Sequence, residues 1–143
     1  MLFIGIDVSK EKLDLTLDDH KQRTHHTIDN DSTSISKFIM QNCRDEEVYI
    51  ALENTGRYNI PFYEAITEFE KPKVFVIPPI HLKKSLGLTR GKSDKIDANR
   101  IVDFLKKNYT DLRSWEAERE VIKKLKVLLN ERNKRVKIKK QLE

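Results

Sequence analysis

The first eighteen residues place the tightest limit on how this chain can fold. Residues 2–8, LFIGIDV, are apolar at every position except Gly5 and Asp7. Such a run fits a strand buried on both faces, which needs a covering layer on each side. Residues 12–17, KLDLTL, alternate instead and read as its hairpin partner. Residues 22–29 read as a third, more polar strand. Two further short runs, 47–52 and 73–77, read as strands, the second stopped by Pro78 and Pro79. Residues 32–43 open with Ser and Thr and set Ile35, Phe38 and Ile39 on one helical face. The turn NTGR leads to a helix near 59–69, with Pro61 in its first turn. Residues 80–92 are basic and poorly periodic, a helix is expected over 94–108, and a long one over 115–142. Three strands, then helix, strand, helix, strand and helix, predict a mixed sheet. Hairpins join its first three strands, and right-handed crossovers add the later ones in parallel. The fold class is therefore α/β, a sheet flanked by helices.

At 143 residues the chain fits one domain with an appended element. No apolar stretch approaches the ~18 residues of a membrane span. The N-terminal apolar run is too short for a signal peptide and has no basic segment before it, so the sequence reads as cytoplasmic. Cys43 is alone, which argues against disulfides and cysteine-based zinc sites. The four histidines lack ligand spacing, and His25 and His26 would point to opposite faces of a strand.

Four acids stand where an apolar or neutral residue is expected. Asp7 ends LFIGID and Glu53 ends VYIALE. Asp94 and Asp97 are three apart, so on a helix they would extend the stripe of Ile101, Phe104 and Leu105. Carboxylates gathered in one place demand protons or cations. Hard divalent ions such as Mg²⁺ or Mn²⁺ suit an all-oxygen site of this kind. Each acid also has a plainer reading. Asp7 could start a turn, Glu53 could be an exposed strand end, Ser93 or Asp94 could cap the helix, and Asp97 could favour its positive end.

Positive charge surrounds the third motif, with His81, Lys83, Lys84, Arg90, Lys92 and Lys95 and no acid from 71 to 93. Such a loop suits nucleic-acid phosphates or a neighbouring acidic cluster. The net charge of +5 falls wholly in residues 115–143, which carry ten Lys and Arg against five Asp and Glu. That asymmetry fits a nucleic-acid or partner surface, or a solvated basic helix. Ile122, Leu125, Leu129 and Val136 follow a helical rhythm that Arg132 interrupts, as in a coiled coil with a polar break.

Taken together, GIDVSK…LD at 5–14, ALENTGRY at 51–58 and GKSDKIDANRI at 91–101 resemble the N-terminal domain of the DEDD-type insertion-sequence transposases. This is the IS110 group, which includes the Piv-type DNA invertases. KVFVIPP before the last motif also fits, and the resemblance covers nearly the whole chain. It implies a RuvC-like domain of the ribonuclease H fold. It also implies that Asp7, Glu53, Asp94 and Asp97 bind Mg²⁺ (or Mn²⁺) and act in DNA strand cleavage and rejoining. Lys83, Lys84, Arg90, Lys92 and Lys95 would contact nucleic acid. Residues 1–112 would form the catalytic domain and 113–143 the start of a helical region. The family continues into a second domain with a nucleophilic serine, and the chain stops before it, as a fragment of a longer transposase would. A guide RNA and a homo-oligomer of the full protein are further implications. A stand-alone RuvC-like nuclease for branched DNA and a non-catalytic interaction domain are the competing readings. An actin-like or sugar-kinase-like nucleotide module is disfavoured because Gly5, Gly56, Gly87 and Gly91 do not cluster.

Overall fold

A computed structural model describes residues 1–43, 47–86 and 97–142, with side chains for all of these except 84–86, 117–118 and 135–142. Five strands form one sheet: β1 Leu2–Val8, β2 Lys12–Asp18, β3 Arg23–Asp29, β4 Val48–Glu53 and β5 Lys73–Ile77. The helices are α1 Ser32–Asn42, α2 Ile60–Ile66, α3 Pro79–Leu86, α4 Ala98–Asn108 and α5 Glu116–Leu142, and a 3₁₀ turn spans Gly56–Asn59. Strand order is β3-β2-β1-β4-β5. β1, β2 and β3 are antiparallel neighbours, while β4 and β5 extend the sheet in parallel. The mixed α/β sheet expected from the sequence is the one observed.

The apolar run of β1 is buried along its whole length because both of its faces are covered. Leu2, Ile4, Ile6 and Val8 meet Leu13, Leu15 and Leu17 of β2 and the buried stripes of α1 and α2. Phe3 belongs to the other face, with Tyr49, Ala51, Phe75 and Ile77, beneath Ile101, Val102, Phe104 and Leu105 of α4. Asp31 caps α1 by accepting from the Ser34 N–H at 2.7 Å. His25 and His26 do face opposite ways: His25 reaches Thr16, and His26 packs edge-on against Phe38.

Two features fix α4 on the sheet. Near its start, Gly5 lets the helix backbone come unusually close. A Cβ there would lie 2.5 Å from the Ala98 carbonyl oxygen and 2.7 Å from the Val102 nitrogen. Nearer its end, Asp18 accepts from the Arg23 guanidinium at 2.8 Å and from Lys106 Nζ at 3.1 Å. Arg23 also donates to Asp103 at 2.8 Å. Asp18 is buried. Desolvation opposes its charge, but the His20 N–H, Arg23 and Lys106 outweigh that and hold its carboxyl at about 2.

That depressed pKa has a signed consequence. The unfolded chain binds the Asp18 proton more readily, so the stabilisation is complete above the ordinary value of 3.8 and lost as pH falls through about 2. Asp18→Asn is expected to cost about 2 kcal/mol at neutral pH. It should also flatten the stability profile between pH 4 and pH 2. Urea melts across that range check it; an unchanged profile would show that the clamp contributes nothing.

Three expectations need correction. Residues 79–86 form a helix, with Leu82 buried against the α4 face, where a poorly periodic loop was expected. Pro79 opens it with a preset φ, and one apolar anchor suffices for two turns. α4 begins at Ala98 instead of 94. The helix expected over 59–69 is the shorter α2, which follows the 3₁₀ turn at Gly56–Asn59. No helix of the described residues is long and apolar enough to cross a membrane.

Candidate catalytic carboxylate site

Parallel pairing brings Asp7 and Glu53 together. Gly5 lies opposite Ala51 and Ile6 opposite Leu52, so the next residues of the two strands leave the sheet side by side. Alternation places both acids on the face that α4 covers. Asp7 is buried, only 9% exposed, and Glu53 is half-buried. Desolvation pushes the Glu53 carboxyl above its ordinary range, the negative charge of Asp7 adds to that, and Lys83 pulls the other way. The two carboxylates therefore feel each other, and the exposed Lys83 of α3 lies within electrostatic reach.

The turn after Glu53 is built to hold it. Asn59 is fully buried and donates through Nδ2 to the Glu53 carbonyl at 3.0 Å and to Tyr63 Oη at 3.1 Å. Its Oδ1 accepts from the Thr55 hydroxyl at 2.5 Å. The Asn54 N–H continues onto the Ile77 carbonyl at 3.0 Å. Gly56 takes φ +67°, a left-handed conformation that glycine adopts without steric cost.

Asp97 sits differently from expectation. Its backbone is extended, with φ −83° and ψ 170°, and its side chain accepts from the Arg100 N–H at 3.0 Å. It caps α4 and does not continue the buried stripe of Ile101. The reason is local: an aspartate carboxylate satisfies an orphan first-turn donor better outside the helix than inside it. Asp7 and Asp97 line one cleft of ≈ 380 Å³, because α4 crosses β1 at Gly5 and its first turn points towards Asp7. Asp94, Arg90, Lys92 and Lys95 lie outside the described residues, as does the side chain of Lys84.

The same cleft holds residues not singled out in the sequence. Asp14 lies directly across from Asp7 in the β1–β2 register and accepts from the Thr27 hydroxyl at 2.9 Å. His25 and Asn99 line it too. The strict alternation of KLDLTL, once its hairpin register is known, puts Asp14 on the Asp7 face. That was the available signal.

Among the described residues, no group of three or more His, Cys, Asp or Glu side chains is placed to hold a metal ion. The donor chemistry nevertheless suits one. Asp7 and Glu53 are all-oxygen, like-charged neighbours whose repulsion a hard divalent cation would relieve.

The family model DEDD_Tnp_IS110, described as a transposase, matches residues 4–142. No curated protein matches the chain.

Proposed function

Because the chain belongs to the DEDD transposase family of the IS110 group, we propose that it is the carboxylate-bearing catalytic domain for DNA strand cleavage and rejoining. The observation that carries this reading is the coupling of Asp7 and Glu53 at adjacent parallel strand ends, beneath the helix whose cap is Asp97. Asp7, Glu53, Asp94 and Asp97 would hold Mg²⁺ or Mn²⁺. When bound, such an ion polarises a phosphoryl oxygen and lowers the pKa of a coordinated hydroxyl or water.

The chain's own residues do the rest. Asn59 and the Gly56 turn hold the Glu53 strand end in place. The Asp18 clamp and the Gly5 contact set the position of α4, and hence of Asp97. Lys83, with Lys84, Arg90, Lys92 and Lys95, would draw the phosphate backbone towards the acids, since phosphate contacts position a strand without reading its sequence. In this reading the carboxylates work with a nucleophilic serine from a second domain, in a homo-oligomer of the full protein, and a guide RNA would select the DNA.

A crystal soaked in Mn²⁺ tests the site without requiring turnover. Anomalous density is expected between Asp7 and Glu53, with an Asp97 or Asp94 oxygen at the third side. A soak that leaves those carboxylates without density at millimolar Mn²⁺ would overturn the assignment.

A further inference from the structure

The cleft between β3 and the first turn of α4 contains two hydrogen-bonding side chains that the carboxylate site does not use. His25 on β3 is exposed, and its Nδ1 lies 3.0 Å from the hydroxyl of Thr16, which is fully buried. A buried hydroxyl requires a partner, so this contact fixes the imidazole ring and leaves Nε2 to meet a ligand. The Thr16 hydroxyl can donate to Nδ1, and in that tautomer Nε2 carries the hydrogen and is a donor. Asn99, in the first turn of α4, lines the same cleft and offers two amide donors. The remaining polar groups there include the acids Asp7, Asp14 and Asp97.

A phosphodiester entering a cleft with three carboxylates needs donors to hold it beside them. Side-chain N–H groups serve this purpose, since each can donate to a phosphate oxygen. Thr27 is already committed to Asp14, which leaves His25 and Asn99. The volume of ≈ 380 Å³ lies at the small end of the ~300–1,000 Å³ typical of ligand pockets. That volume corresponds to about one nucleotide unit, far less than a duplex segment.

We propose that His25 and Asn99 hold the backbone of an unpaired DNA strand against the carboxylates Asp7 and Asp97. The proposal rests on the carboxylate reading above and adds the strand's path across β3. Both are positioning residues, acting on the phosphate next to the reacting one.

Fluorescence anisotropy of the whole chain with a labelled single-stranded oligodeoxynucleotide in Ca²⁺ tests it. His25→Ala and Asn99→Ala are each expected to weaken binding about tenfold, as for a hydrogen bond to a charged group. Asn99→Ala should leave the thermal midpoint in place, whereas His25→Ala also removes the partner of the buried Thr16 hydroxyl and should lower it. His25→Gln keeps a donor at similar reach and should recover most of the affinity, which a merely structural role would not predict. Binding by the unaltered chain that both alanine variants retain overturns the inference and leaves the carboxylate reading standing. A loss that His25→Gln fails to recover overturns the donor role of His25. If the unaltered chain does not bind the oligonucleotide and the Mn²⁺ soak also fails, both readings fall together.

Discussion

Asp7→Asn is expected to slow strand cleavage by about 10²–10³-fold while leaving the domain more stable than before. Two like charges oppose Asp7. Glu53 stands beside it at the end of the parallel neighbour β4, and Asp14 lies directly across on β2. Desolvation, then the Asp7 charge, keep the Glu53 carboxyl above its ordinary range. A carboxyl raised in the folded state destabilises the fold at neutral pH, because the unfolded chain releases that proton more easily. Removing the Asp7 charge relieves part of that penalty and the cross-strand repulsion as well. Like charges placed directly opposite one another are destabilising by roughly 0.2–1 kcal/mol, so the gain should be about 0.5 kcal/mol. The catalytic loss should be far larger. Losing one preorganised charge at a phosphoryl site costs on the order of 10²–10³-fold, and Mn²⁺ affinity should fall with it. Cleavage by the transposase, calorimetric Mn²⁺ titration and thermal melts of the Asp7→Asn variant give three independent readings. A lower melting temperature with metal affinity intact would make Asp7 a turn-forming residue and remove it from the site.

A rise in stability together with a fall in activity is what distinguishes a functional acid from a structural one. Asp18 supplies the internal contrast. It is also a buried aspartate on this face of the sheet, yet its neighbours are Arg23, Lys106 and the His20 N–H, and its carboxyl is held low. Asp18 stabilises the fold through its charge, whereas the charge of Asp7 helps to raise the Glu53 carboxyl. The two aspartates differ in their neighbours: Asp18 meets Arg23 and Lys106, while Asp7 stands beside Glu53 and across from Asp14.

These two ends were not equally legible in the sequence. The apolar run of β1 and the alternation of β2 required a covered sheet, and the order of runs gave its strands. Asp7 and Glu53 could be read because an acid that closes an apolar run is conspicuous by itself. Asp97 was expected on a helical stripe and is instead the cap of α4. A spacing of three fits both a helical stripe and a cap, and only the Arg100 N–H decides between them. Asp18 carries no signal of its role in the sequence, since Arg23 faces it only in the β2–β3 register and Lys106 only once α4 has crossed the sheet. His25 and Asn99 carry no local signal, because their common cleft joins β3 to α4 across most of the chain's length. Side chains brought together by tertiary packing leave no period to read.

Gly5→Ala is expected to be the most damaging conservative change in the domain. The added Cβ would lie 2.5 Å from the Ala98 carbonyl oxygen, 2.7 Å from the Val102 nitrogen and 2.7 Å from Val102 Cγ2. Two of these three neighbours are helix backbone, so no rotamer change can relieve the overlap. α4 must lift from β1, loosening Ile101, Val102 and Leu105, all fully buried. Overpacking of this kind costs typically about 1–3 kcal/mol; with backbone on the far side, the upper end applies. For a chain of this size that is a fall of roughly 10 °C in melting temperature. The functional effect follows from the same displacement. Asp97 directly precedes Ala98, so lifting the start of α4 draws Asp97 away from Asp7. A misplacement of ~1 Å can cost about 10²-fold in rate, so cleavage should drop well below the melting transition. Gly56→Ala is the matched comparison. Its φ of +67° strains an alanine, but an added Cβ meets nothing within 4 Å, so the cost should stay near ~1 kcal/mol. If Gly5→Ala proves no worse than Gly56→Ala, then α4 does not rest on β1 at this point and the alignment of Asp97 with Asp7 has another cause.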